Sequence, residues 1–310
     1  MKYLLIFYIF VISLVAKEIS PFSTIKVDGL ITDMVVKDGK IYVATDSGVV
    51  DIFSVNTRKK IKKIEIIPKK HSSDCKVISL DHYKNSTLVV LDIGREFREV
   101  YLIENDKNIK KIIDSSSSLL IKKVRFIDAD RFVLALSSDT IITMNLHSPN
   151  IVNKIQAGGG VFRDMAVDAD NNRIFVADEG GEIAVIDFKK GQIIKTLRGI
   201  NVDNINHIAY KNNVILSAGQ DRRVGVYQSK GSYYLESDFF VYAVGISPSA
   251  KKGVYTDGTE NNLQVFTIAD RTKNTRLQGG DILYDTLIFA DEHLLIGSGE
   301  DNKIYFWRIP

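Results

Sequence analysis

The stretch LYDTLIFADEHLLIGSGEDNKIYFWRI, residues 283–309, contains three short apolar-rich runs, LYDTLIFA, HLLIGS and KIYFWRI, separated by polar turns. Runs of this length bounded by Gly, Asp, Asn and Glu form an antiparallel meander. The last run sets Ile304 and Phe306 in alternation and ends on Ile309, with Trp307 between them. A strand this apolar needs a neighbour on both sides, yet the chain ends at Pro310. The question is what pairs with it.

Working back along the chain, the third run of this unit recurs as NNLQVFTI, RRVGVYQS, GEIAVIDF and GVVDIFSV, with two less regular copies, TIITMNL and EVYLIE. Aligning them places Phe53, Tyr101, Met144, Ile186, Tyr227, Phe266 and Trp307 in one column, with steps of 48, 43, 42, 41, 39 and 41. Seven units of about 42 residues have the period of a four-stranded propeller blade. One blade cannot bury both its faces, so the units stack side by side and close into a ring. The expected fold is all-β, a seven-bladed propeller. Its last blade has three strands of its own and takes the outer one from ISPFSTIKVDG, residues 19–29, where Ile25 and Val27 alternate with Thr24 and Lys26. That pairing removes an exposed sheet edge.

These units resemble WD40 repeats. VYAVGISPSAKKGVYTDGTENNLQVFTI and residues 287–309 match the apolar inner strand, the Ser-Pro turn, the small-residue second strand and the aromatic near the end of the third. The Gly-His dipeptide is missing and the Trp-Asp dipeptide survives only as Trp307-Arg308. The resemblance therefore implies the fold but not the usual hydrogen-bond network.

The first residues, MKYLLIFYIFVISLVAKEIS, have one Lys, an apolar run from Tyr3 to Leu14 and Ala16 before Lys17. This is the layout of a signal peptide at 1–16, too short to span a bilayer comfortably, followed by a single propeller domain at 17–310. The lone cysteine, Cys75, excludes an internal disulfide and reads as a small buried apolar residue. Export without disulfides fits a bacterial periplasm, with no stable membrane anchor after cleavage. With 45% hydrophobic and 25% charged residues and a net charge of +3, composition lends nucleic-acid binding no support. The Lys runs RKKIKKIEI and KNIKKII fall on fourth strands, where Lys guards a sheet edge.

No residue set points to catalysis. DADNN at 168–172 with Glu179 has calcium-loop spacing, but Arg173 stands where that loop needs Gly. The five histidines share no ligand spacing, and AGGG at 157–160 precedes a strand rather than a helix, which makes it an interblade loop. The inner-strand column Asp33, Ser79, Asp164, His207, Ala243 and Thr286 offers only scattered polar groups. No metal and no cofactor is expected, and the protein is expected not to be an enzyme. Exposed Arg and aromatic residues on turns between second and third strands are the material of a docking surface, which nominates Arg95, Phe97, Asp221, Arg222 and Arg223. Replacing Arg222 and Arg223 by Glu is then expected to leave stability nearly unchanged. A small exported seven-unit propeller in a Lys-, Ile- and Asn-rich chain is also similar to the NapL family of accessory proteins of periplasmic nitrate reductase systems. That resemblance implies a non-catalytic role in maturation of the reductase or electron delivery to it, with another periplasmic protein as partner. The alternative is a ligand- or metal-binding propeller enzyme of the lactonase or quinoprotein kind.

Overall fold

The computed structural model describes residues 18–66, 75–94, 97–280 and 282–310; the expected signal segment and Arg95 lie outside them. Among the described residues, 28 strands form seven four-stranded antiparallel sheets. Blades 1 to 6 span residues 31–65, 76–113, 121–156, 162–197, 205–236 and 244–277, and blade 7 spans 284–308. Within each blade the strands run A to D from the axis to the rim. Because the meander alternates direction, B–C turns and D–A crossings share one face, and A–B and C–D turns share the other. The A–B turns at Asp38-Gly39 and Asn212-Asn213 have positive φ at both residues, as type I′ hairpins require.

Blade 7 consists of β26 (Tyr284–Phe289), β27 (Leu294–Gly299), β28 (Lys303–Arg308) and, outermost, β1 (Ser23–Lys26). β1 pairs antiparallel with β28, Ser23 opposite Phe306 through Lys26 opposite Lys303. Ile25 and Val27 are buried in a cluster holding Ile296, Ile304 and Phe306 of blade 7 and Ile31, Met34 and Phe53 of blade 1. The strand that completes the last blade thus also seals the seam where the ring closes. It is shorter than the sequence suggests, because Ile19 forms a parallel bridge to Leu277 at the rim of blade 6. Its N–H donates to Arg276 O at 3.1 Å and its carbonyl accepts from Gln278 N–H at 3.0 Å. The N-terminal segment ties two blades.

The aligned column lies on third strands throughout, with one shift. Register matches Phe53, Met144, Ile186, Tyr227, Phe266 and Trp307, but in blade 2 the equivalent position is Ile103, two residues after Tyr101. A slip of two keeps a strand's buried face, so the pattern tolerated it. Trp307 is fully buried and donates Nε1–H to Gln278 O at 3.0 Å. Cys75 is buried among apolar residues of blades 1 and 2. The Lys runs lie on β5 (Lys60–Glu65) and β9 (Asn108–Ile113), both rim strands. They also neutralise buried acids, Lys60 pairing with Asp51 at 3.0 Å and Lys111 with Glu99 at 2.8 Å.

Candidate functional site

The inner strands β2 (Ile31–Lys37), β6 (Lys76–Tyr83), β10 (Ile121–Phe126), β14 (Phe162–Asp168), β18 (Ile205–Lys211), β22 (Val244–Ile246) and β26 surround the axis. The polar column on them is a set of staples. Each acceptor takes the N–H of the next blade: Asp33 from Leu80 at 3.0 Å, Ser79 from Val124 at 3.2 Å, Asp164 from Ile208 at 2.8 Å and His207 Nδ1 from Val244 at 3.4 Å. Lys123 occupies the blade 3 position and accepts nothing, so there an ion pair to Asp164 joins blades 3 and 4.

The column groups are therefore not scattered. Arg125 Nη1 lies 3.2 Å from Asp33 Oδ2 and donates to Leu80 O at 2.7 Å, gathering blades 1, 2 and 3. Burial alone would raise the pKa of Asp33, but Arg125 and Lys123 outweigh it and hold it below the usual carboxylate value. Asp164 behaves alike, its burial opposed chiefly by Lys123 and His207. His207 goes the other way, with burial favouring the neutral ring over the pull of Asp164. Its Nδ1 accepts a backbone proton, which leaves Nε2–H facing Asp164 at 3.7 Å. His207 is a hydrogen-bonded structural histidine.

Six of the seven inner strands carry a β-bulge, between Ile31 and Asp33, Val77 and Ser79, Ile121 and Lys123, Phe162 and Asp164, Ile205 and His207, and Tyr284 and Thr286. A bulge leaves one residue unpaired and re-aims its side chain. Here those residues are Thr32, Ile78, Lys122, Arg163, Asn206 and Asp285, and all six line the axial channel near its B–C/D–A mouth. The channel has a volume of about 820 Å³. The Asp285 side chain is exposed to the lumen of the channel. Desolvation by the protein that surrounds the channel, with the charge of Asp33 adding and Lys123 opposing, pushes its pKa up to about 7.

The nominated loop residues divide in two. Asp221 is largely buried and accepts from Asn201 Nδ2 at 3.1 Å and from the Val202 N–H at 2.8 Å, pinning the D–A crossing as Asp46 does through the Leu30 N–H in blade 1. Asn201 Oδ1 in turn accepts from Ser217 and from Tyr227 at 3.5 Å, a buried network of four side chains. Gly219 belongs to it by necessity, since a Cβ there would lie 2.1 Å from Asp221 and 2.2 Å from Asn201. Arg223 donates to Ile200 O at 2.9 Å and stacks over Tyr234 at 4.4 Å, so its replacement by Glu is not neutral. Arg222, in contrast, sits at φ 65° with an exposed side chain, and Phe97 is half-buried.

AGGG is packed at Gly158 and Gly160 but open at Gly159, which is exposed with free space beside it. A Cβ on Gly158 would lie 2.8 Å from Asp139 Oδ2 and 3.0 Å from Asp178 Oδ2. Asp139 is 1% exposed and its Oδ1 has no hydrogen-bond partner among the described residues. Burial first, and the nearby Asp178 second, push its pKa up to about 7. DADNN is a turn in which Asp168 accepts from Asn171 at 2.8 Å and Tyr210 at 2.6 Å. Among the described residues no three His, Cys, Asp or Glu are grouped to hold a metal ion.

The sheets, their order and the N-terminal closure define a seven-bladed β-propeller of the WD40-like class. No protein-family model and no curated protein matches the chain in sequence. Among solved structures it is similar to the Cps50 (Swd1) β-propeller domain of Myceliophteria thermophila, with a TM-score of 0.77 at 14% identity, over 94% of this chain and 99% of that one. At that identity the likeness establishes the fold alone.

Proposed function

We propose that the protein is an exported, non-catalytic scaffold that docks another protein on its B–C/D–A face. The observation that carries this is how the polar groups are divided. On the axis Asp33, Asp164, Lys123, Arg125 and His207 are committed to one another and to backbone groups that hold the blades together. On the B–C/D–A face Arg222 stands exposed on a turn fixed by the buried Asp221 network. Exposed side chains on loops held by a rigid scaffold are suited to recognition. The finer assignment, a periplasmic accessory factor for maturation of nitrate reductase or electron delivery to it, rests on the sequence resemblance alone.

The test is capture from periplasmic extract by the mature protein and by Arg222→Glu. Because Arg222 is exposed, the change leaves thermal stability nearly unaltered while reducing capture, most strongly at low salt. Equal recovery of the same proteins by both forms at every salt concentration counts against this face. The enzyme alternative gains from the polar channel and predicts turnover that depends on Asp285.

A further inference from the structure

The charges lining the channel do not cancel. Six side chains are cationic, Lys37, Lys122, Lys123, Arg125, Arg163 and Lys211, against four acidic ones, Asp33, Asp81, Asp164 and Asp285. Deep in the channel Lys123 and Arg125 are paired with Asp164 and Asp33. Asp81 accepts the N–H groups of His82 at 2.9 Å and Phe126 at 2.8 Å. What remains lies towards the mouths, four cationic side chains, Lys37, Lys122, Arg163 and Lys211, against Asp285. Lys37 and Lys211 end the inner strands of blades 1 and 5, which are not adjacent.

Lys122 and Arg163 are different. Each is the unpaired residue of a bulge, so the backbone turns its side chain out of the sheet and into the channel. They sit on neighbouring blades, and one residue deeper those blades are locked by the Lys123–Asp164 ion pair, which fixes the two backbones relative to each other. Both side chains are exposed and neither is in an ion pair among the described residues. A guanidinium fork beside an ammonium, in a concave site with excess positive charge, is suited to a planar or tetrahedral oxyanion.

We propose that the B–C/D–A mouth of the channel is an oxyanion-binding site in which Lys122 and Arg163 together hold a carboxylate or similar anion. The anion is either a free small molecule or an acidic side chain of a docked protein; the chemistry at the site is the same. It does not depend on the docking proposal, because a free anion suffices to fill it.

The experiment is calorimetric titration of the full mature protein at fixed ionic strength with malonate and, separately, with a hexaglutamate peptide. Saturable binding of at least one probe is expected. Lys122→Ala with Arg163→Ala weakens it by ~10-fold or more, as expected for loss of charge-assisted hydrogen bonds. Lys37→Ala with Lys211→Ala, which keeps the overall charge the same as in that variant, leaves it nearly unchanged. Tighter binding of malonate identifies a free anion, and tighter binding of the peptide an acidic side chain. Should the double variant fold poorly, Arg163→Gln alone still weakens binding several-fold through loss of the fork. The proposal is overturned if neither probe binds saturably, or if the Lys122 and Arg163 changes weaken binding no more than the Lys37 and Lys211 pair.

Discussion

Changing Ile25 to Ala tests how the ring closes. Ile25 is 8% exposed on β1, with its side chain in the cluster shared by blades 7 and 1. The substitution removes about three carbons' worth of buried apolar volume, each worth ~0.8 kcal/mol, or ~2.4 kcal/mol in transfer alone. A residual cavity adds to this, though the strand is a rim strand and can settle inward, so the expected loss is ~2–3.5 kcal/mol. Thr24, one residue earlier, is exposed, and Thr24→Ala is expected to stay within ~0.5 kcal/mol. The single tryptophan, Trp307, lies fully buried in β28 itself, so urea unfolding followed by its fluorescence reports on the closing blade directly. If Ile25→Ala is as harmless as Thr24→Ala, β1 does not seal the seam and the closure argument fails.

Three further outcomes follow from the buried charges. Asp33→Ala strips Arg125 of its partner while that guanidinium stays largely buried, and a loss of ~3–5 kcal/mol in chemical denaturation is expected; a loss under ~1 kcal/mol would mean that the axial network carries little stability. The raised pKa of Asp139 means the folded state keeps a proton that the unfolded chain releases between about 4 and about 7, so Asp139 makes stability decline as pH rises through that window. Asp139→Asn should therefore stabilise the protein at pH 8 and change little near pH 4, and an unchanged pH profile refutes the shift. Arg223→Glu, unlike Arg222→Glu, should lower the melting temperature, because it loses the bond to Ile200 and the stack on Tyr234; equal melting temperatures would contradict that distinction.

The ring and its closure were legible because they depend on period. Apolar residues alternating by two, and repeating every ~42, specify strand, face and blade count without any side-chain detail. The slip at Tyr101 shows the limit, since a shift of two leaves the face unchanged. The axial site was less legible, though a signal existed. In Ile31–Met34, Ile121–Val124 and Phe162–Met165 the buried apolar residues stand three apart where alternation requires two. That spacing marks the bulge and picks out Thr32, Lys122 and Arg163. Lys123 and Arg125 had no local signal, because their partners Asp164 and Asp33 lie 41 and 92 residues away. The roles of Asp221 and Arg223 were hidden for the same reason. Their chemistry suits an exposed turn, and only the crossing at Ile200–Val202 shows that both are occupied.

Photo-crosslinking tests the docking proposal most directly. A photoreactive phenylalanine analogue replaces Arg222 on the B–C/D–A face in one variant and Asp170, exposed on an A–B turn of the opposite face, in another. Irradiation in periplasmic extract should give a discrete adduct from position 222 and none from position 170. An adduct from position 170 alone would place the partner on the other face and contradict the account.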